Sequence, residues 1–232
     1  SGDLRTGIVS NDGWGFTDTL TNVEGLSGGS KFADLFHGDD NNNILLATLA
    51  GADDVYGHGG DDDIWIAEAG GTVDGGDGFD TFTMQQNRWI DNGMGGLTPD
   101  YATQGVVMNL TLNTFTDAWG ATGTLLNVEK LQATNFDDIL IGSEGDEEFI
   151  SVGGNDYIEG GQGNDTLDGG ANFDTASFRN DISGVIANLD SITHAGQALR
   201  SATDGWGDTD TFRFIEHLEG SAFNDSLYGN SG

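Results

Sequence analysis

Acidic residues recur every nine positions along much of this 232-residue chain, and their regularity is the first chemical clue it offers. In GGNDYIEGGQGNDTLDGGANFDT, Gly153–Thr175, carboxylates and glycines alternate at fixed spacing with no lysine or arginine among them. The row runs Asp138, Glu147, Asp156, Asp165, Asp174. The same phase occurs earlier as Asp34 and Asn43, then Asp53, Asp62, Gly71 and Asp80, with one extra residue between Asn43 and Asp53. Two residues after each stands a partner that is nearly always apolar: Phe36, Leu45, Val55, Ile64, Val73, Phe82, then Leu140, Phe149, Ile158, Leu167 and Ala176. A further start appears at Asp225 with Leu227. Stacked carboxylates repel unless a cation lies between them. Hard dications take about six to eight oxygens, drawn from carboxylates and carbonyls, and aspartate with glycine carbonyls supplies that set. Thiolates are absent, imidazole enters these loops only at His58, and magnesium favours small octahedral sites that retain water; calcium is the better match.

The coil that must position these groups follows from the best-preserved nonapeptide, Gly160–Asp168. Six residues of loop precede three of strand. Glycine permits the positive φ that a tight non-helical loop requires and lets carbonyls turn toward one point. On a three-residue strand the central side chain faces opposite to its neighbours, so the eighth position points inward and is apolar. One nonapeptide makes a half-turn, and two make an 18-residue coil with a parallel strand on each side. The expected fold is all-β, an elongated parallel solenoid. Asp138, Asp156 and Asp174 then line one edge, with Glu147 and Asp165 on the other. The candidate metal ligands are Asp34, Asp53, Asp62, Asp80, Asp138, Glu147, Asp156, Asp165, Asp174 and Asp225, with the loop glycines Gly60, Gly76, Gly78, Gly154, Gly161, Gly163 and Gly170.

Composition agrees. Seven Lys+Arg against 39 Asp+Glu give a formal charge of −32, which repels nucleic acid and anionic membranes and itself requires cations. A hydrophobic fraction of 36% with five Trp argues against disorder. Glycine reaches 39 residues against a single proline, Pro99, so the excess marks tight turns and not a rigid linker. No cysteine is present, which removes disulfides and thiol chemistry. No apolar run approaches the length of a membrane-spanning helix.

A longer repeat overlies the short one. DGWGFTDTLTNVEGL (Asp12–Leu26), DAWGATGTLLNVEKL (Asp117–Leu131) and DGWGDTDTFRFIEHL (Asp204–Leu218) align without gaps, and each leads into an F-x-D start at Phe32, Phe136 or Phe223. GVVMNL (Gly105–Leu110) and GVIANL (Gly184–Leu189) precede the second and third copies. Three units are expected, at about 1–100, 101–180 and 181–232, with the first and last looking like cuts in a tandem array and the linking blocks read as related coils without calcium.

These residues resemble the RTX (repeats-in-toxin) family, whose nonapeptide is G-G-x-G-x-D-x-U-x with U apolar. The resemblance covers roughly residues 34–83, 138–176 and 225–232. It implies a right-handed parallel β-roll, calcium between adjacent loops and type I secretion into a calcium-rich exterior; the linking blocks look like those of large bacterial exoproteins and adhesins. Departures are expected to matter. Gly71 stands at an aspartate position, so a site should be missing there; Asn43 is neutral, Glu147 is longer, His58 replaces a loop glycine, and Asn172 replaces another in a conformation asparagine tolerates.

Competing chemistries find less support. Carboxylate pairs could suggest a glycosidase, but with 39 acidic residues pairs are inevitable. GLSGG (Gly25–Gly29) fits a nucleophile elbow, yet the aligned copies read KLQAT and HLEGS, so Ser27 is read as a turn residue. His37, His58, His194 and His217 show no ligand spacing and are assigned to surface or packing roles. Trp14, Trp119 and Trp206 recur in the long repeat; packing is favoured over a sugar-stacking ladder. Trp89, in the least repetitive segment 85–103, marks the first place to seek a binding surface. The expected function is structural and non-catalytic: a calcium-folded segment of a secreted adhesin, surface-layer or fibre protein, able to stack on further copies of itself. The alternative is an accessory module of a secreted protease, lipase or polysaccharide epimerase that aids folding and binds cell-surface glycan.

Overall fold

A computed structural model describes residues 1–10, 16–28, 32–47, 51–91, 97–194 and 196–230. Among these every regular element is a strand, and no helix is long and apolar enough to cross a membrane. Two compact units result: residues 1–104 with 113–128, and residues 105–112 with 129–232.

In the second unit the nonapeptides form three-residue strands, as the repeat predicts. Ile139–Ile141, Tyr157–Glu159 and Thr175–Ser177 pair in parallel on one side, and Glu148–Ile150 pairs with Thr166–Asp168 on the other. The register pairs Leu140 with Ile158 and Ile158 with Ala176, a step of 18 residues. The same side gains Met108 before Leu140 and Leu218 after Ala176. The opposite side stacks Leu131, Phe149, Leu167 and Phe212. Leu140, Phe149, Ile158, Leu167 and Ala176 have no exposed surface. Their burial supplies the apolar driving force of each coil, at about 25 cal/mol per Å² removed from water.

The first unit repeats the arrangement. Phe36, Val55, Val73 and Leu125 stack on one side, and Leu26, Leu45, Ile64 and Phe82 on the other. The extra residue between Asn43 and Asp53 lengthens one coil, so Leu35 pairs with Asp54 and Ile44 with Asp63, steps of 19, before the spacing returns to 18 at Val55 and Val73. Some strands here are longer than three residues: Asp54–Gly59 and Thr72–Asp77 have six.

The linking blocks depart from an all-parallel solenoid. Ile8–Ser10 pairs antiparallel with both Gly2–Asp3 and Thr17–Thr19; Thr114–Thr116 pairs antiparallel with Thr122–Leu126; and Ser201–Thr203 pairs antiparallel with both Ile186–Asn188 and Thr209–Arg213. In the two described copies the D-x-W-G turn reverses the chain, between Thr114–Thr116 and Thr122–Leu126 and between Ser201–Thr203 and Thr209–Arg213. Asp117 Oδ1 accepts the Trp119 and Ala121 amides at 2.9 Å each, and Asp204 Oδ1 accepts those of Trp206, Gly207 and Asp208. Asn22, Asn127 and Phe214 occupy one column of the long repeat and share φ of 53°, 49° and 51°. The least repetitive segment is a further hairpin, Asn87–Asp91 against Leu97–Tyr101.

Candidate metal site

The site is a loop edge repeated along each stack of coils. Every glycine expected to shape it, Gly60, Gly76, Gly78, Gly154, Gly161, Gly163 and Gly170, has positive φ, from 81° to 150°. These are the second and fourth positions of the nonapeptide. Among other residues that stand there, His58 at 82°, Val152 at 72° and Asn172 at 87° keep the same course, whereas Thr134, Phe136, Ser143 and Gly145 in the Asp138 and Glu147 loops do not take positive φ. Glycine is the residue that meets the positive φ without strain.

Each carboxylate is tied to the coil before it. The Asp138 amide donates to Asp156 Oδ1 at 2.8 Å and the Asp156 amide to Asp174 Oδ1 at 2.9 Å, while on the other edge the Glu147 amide donates to Asp165 Oδ1 at 2.8 Å. This is the division between edges that half-turn alternation predicts. In the first unit the Asp34 amide bonds Asp53 Oδ1, and the amides of Asn43 and Asp62 bond Oδ1 of Asp62 and Asp80. One oxygen of each aspartate thus completes the backbone of its neighbour.

The second oxygen is different. Oδ2 of Asp62, Asp156, Asp165 and Asp174 is buried and makes no hydrogen bond. These side chains are at most 2% exposed, so water does not solvate the charge. Burying a carboxylate oxygen without a partner is costly, and native structures rarely repeat such a cost at every coil without a ligand. The first glycine of each nonapeptide lies beside it. A methyl built on Gly57 would overlap both Asp62 Oδ2 and the Gly75 carbonyl; on Gly169 it would overlap the Phe214 carbonyl and approach Asp174 Oδ2 to 2.6 Å. One on Gly160 would meet Asp165 Oδ2, and one on Gly142 would meet the Gly160 carbonyl. At Ser151 the hydroxyl fills the place and donates to the Gly169 carbonyl at 2.6 Å. Where glycine holds that position, as before Asp62 and Asp174, a carboxylate oxygen and a carbonyl from the next coil converge on a space that a side chain would close; before Asp156 the Ser151 hydroxyl occupies it. That donor set, all oxygen and partly anionic, fits a calcium ion.

Electrostatics carry the same message. Burial, reinforced by neighbouring carboxylates, pushes Asp165 up to about 8, Asp174 and Asp53 to about 7, and Asp62 and Asp138 to about 6. Burial also raises Asp156 and Glu147. Without a cation the edge holds its charge poorly.

The candidate residues are not equivalent. Asp138 is satisfied within its own loop by the Thr134 amide and hydroxyl, and it also accepts the Val106 amide at 2.7 Å. Glu147 uses its extra methylene to fold back onto the Ser143 amide and hydroxyl. Asn43 closes its loop by accepting the Asp39 amide. Asp34 is half-buried, and Asp225 is half-buried and accepts the Val185 amide and the Ser221 hydroxyl. At Gly71 a side chain would overlap the Asp53 carbonyl, so that position is closed sterically as well as lacking a carboxylate. Ser27 sits in the strand Gly25–Gly28, not in a turn. Trp119 and Trp206 are half-buried, whereas Trp14 and the side chain of Trp89 lie outside the described residues.

Sequence reasoning missed two groups. The first-position glycines Gly57, Gly75, Gly142, Gly160 and Gly169 border the carboxylates more closely than those chosen, and the doubled G-G of the repeat was their signal. It also missed that Asp210 and Glu216 continue the ladders. The Asp165 amide donates to Asp210 Oδ1 at 3.1 Å and the Asp174 amide to Glu216 Oε2 at 3.1 Å, 45 and 42 residues on, because the linking block returns to the stack there. Among the described residues no three His, Asp or Glu side chains gather into a ready-made cluster. One carboxylate per coil cannot make one, so an ion here must draw most of its ligands from carbonyls.

Comparison with protein families matches the RTX calcium-binding nonapeptide repeat in four copies, at residues 45–65, 128–151, 141–176 and 210–232. No curated protein matches the chain.

Proposed function

Starting from a chain that carries RTX calcium-binding repeats on a parallel β-roll, we propose that it is a calcium-folded structural segment of a secreted protein. The carrying observation is the row of buried, unpartnered Oδ2 atoms on Asp62, Asp156, Asp165 and Asp174 beside convergent carbonyls. These aspartates, with Asp53, Asp80 and the carbonyls of Gly75, Gly160 and Phe214, would hold the ions. Bound calcium supplies the positive charge that the buried edge lacks. The protein's own part is to present one carboxylate per half-turn, anchored through Oδ1, and to keep the neighbouring space clear with glycine. Binding free energy then becomes folding free energy, with affinities of roughly 10⁻⁴–10⁻³ M, as in extracellular modules. Outside the cell that concentration is met; inside it is not, which suits a chain exported unfolded. Circular dichroism during calcium titration, against chelator, tests this: β-signal is expected to grow with calcium above a weaker chelator signal, and an unchanged signal in chelator would sink the reading.

The tandem long repeat favours a role as a rigid spacer in an adhesin, surface-layer or fibre protein, with stacking on further units. The alternative, an accessory module of a secreted enzyme, draws on the recurring, half-buried Trp119 and Trp206, each of which keeps surface for a sugar ring. Glycan-array binding lost in Trp119→Ala would favour the module; its absence, with further long units in the full-length gene, favours the spacer.

A further inference from the structure

On the outer face of the first unit's sheet, where the strand Asp54–Gly59 runs into the Asp62 loop, two histidines meet. His37 ends the strand Leu35–His37 and pairs in register with Tyr56; His58 lies two residues further along Asp54–Gly59 and therefore on the same face. His37 Nδ1 and His58 Nε2 are 2.9 Å apart and partly buried, with ring centroids 5.2 Å apart. Tyr56 stacks on His37 at 5.0 Å and holds that ring in place. Beside His58 a cleft of about 270 Å³ is lined by Asp74 and Asp77, with Asn127 donating to Asp74 Oδ1 at 2.7 Å. Arg5 lies near His37 but is paired with Asp3 at 2.9 Å.

We infer that His37 and His58 form a site for a divalent transition-metal ion such as Cu²⁺ or Ni²⁺, distinct from the calcium-binding edges. Two nitrogens each about 2.05 Å from one ion, at a right angle, stand about 2.9 Å apart, the cis arrangement of square-planar and octahedral centres. Imidazole ligates in its neutral form, and burial lowers the pKa of His37, which favours that form. Asp74 and Asp77 line the cleft beside His58 and add negative charge, and water would fill the remaining positions. His58 adopts φ of 82° where Gly76 and Gly161 take 109° and 98°. A strained side chain in place of a fitting glycine points to a use. Val152 shows that the position can hold a side chain without a ligand, so contact with His37, not strain, carries the case.

The test uses the full chain at saturating calcium with one equivalent of Cu²⁺, read by electron paramagnetic resonance. Wild type is expected to bind Cu²⁺ with superhyperfine splitting from two nitrogens. His37→Ala, outside the calcium loops, is expected to leave the calcium-dependent circular dichroism unchanged while Cu²⁺ binding weakens at least tenfold and the two-nitrogen pattern disappears. His58→Gly, which restores the residue that the neighbouring loops use, is expected to lose the pattern as well. An all-oxygen spectrum or no bound Cu²⁺ in wild type, leaving the rings joined by a hydrogen bond only, overturns the assignment. So does a two-nitrogen pattern that survives in His58→Gly.

Discussion

At the scale of single residues, each aspartate does two things with two oxygens. Oδ1 of Asp165 accepts the Glu147 amide, a bond any acceptor of that shape could make; Oδ2 holds a buried charge with nothing beside it. Asp165→Asn separates the two. Its carbonyl oxygen keeps the amide bond, and its NH₂ replaces the lone charge, much as Asn43 already serves in its own loop. The variant is expected to melt higher than wild type in chelator and to bind calcium roughly tenfold more weakly at that loop, since ligand charge sets affinity. Thermal melts with and without calcium check it; equal losses in both would show that the charge matters only for packing.

At the scale of the element, each half-turn of a coil is a loop, a three-residue strand and one inward side chain. Strands this short lack independent stability, so the inward residue and its stacked neighbours hold the coil. Phe149 is fully buried between Leu131 and Leu167, and Phe149→Ala is expected to cost about 3–5 kcal/mol in calcium. Ile139, the outward-facing neighbour of the buried Leu140, is 40% exposed, so Ile139→Ala is expected to cost under about 1 kcal/mol. Urea unfolding at fixed calcium measures both, and similar losses would contradict the stacking account. The period of nine, the inward apolar residue and the alternation of edges were all legible in the sequence, because each follows from chain geometry that every repeat must obey. The antiparallel returns of the linking blocks were not. Their strands, such as Thr114–Thr116 and Ser201–Thr203, are too short and polar to announce a direction. It is set by the D-x-W-G turn and by which strand receives them.

At the scale of the whole molecule, the formal charge is −32, and among the described residues folding buries thirteen of the 39 acidic side chains. Unfolded aspartates titrate near 3.8, whereas Asp62 and Asp138 titrate near 6, Asp53, Asp174 and Asp181 near 7, and Asp165 and Asp210 near 8 in the folded chain. A raised folded pKa means that the folded state holds protons more tightly. Its stability without metal is therefore greatest at low pH and falls as pH rises from about 4 through 8. Calcium competes with those protons, so its stabilising effect grows over the same range. Melting temperatures in chelator are expected to fall between pH 5 and 8, and the gap to the calcium-bound protein to widen. A chelator profile that is flat or rising would overturn this view of the buried edge.

Sequence alone determined the coil: a nine-residue period with one apolar and one acidic position admits few backbone paths, since side-chain alternation and glycine's positive φ leave little choice. It therefore gave the fold class, the two edges and the phase of the repeat's carboxylates, but not Asp210 and Glu216. Tertiary structure decided what each carboxylate is left with once the coils are stacked. Asp138 and Glu147 carry the same charge and phase as Asp156 and Asp165, yet Thr134 and Ser143 satisfy them while Oδ2 of Asp156 and Asp165 stays bare. The same holds for His37 and His58, 21 residues apart and without motif, which meet only because adjacent strands pair in register. Hydrogen-bond partners and cross-strand neighbours are set by distances between coils, and no local spacing encodes them.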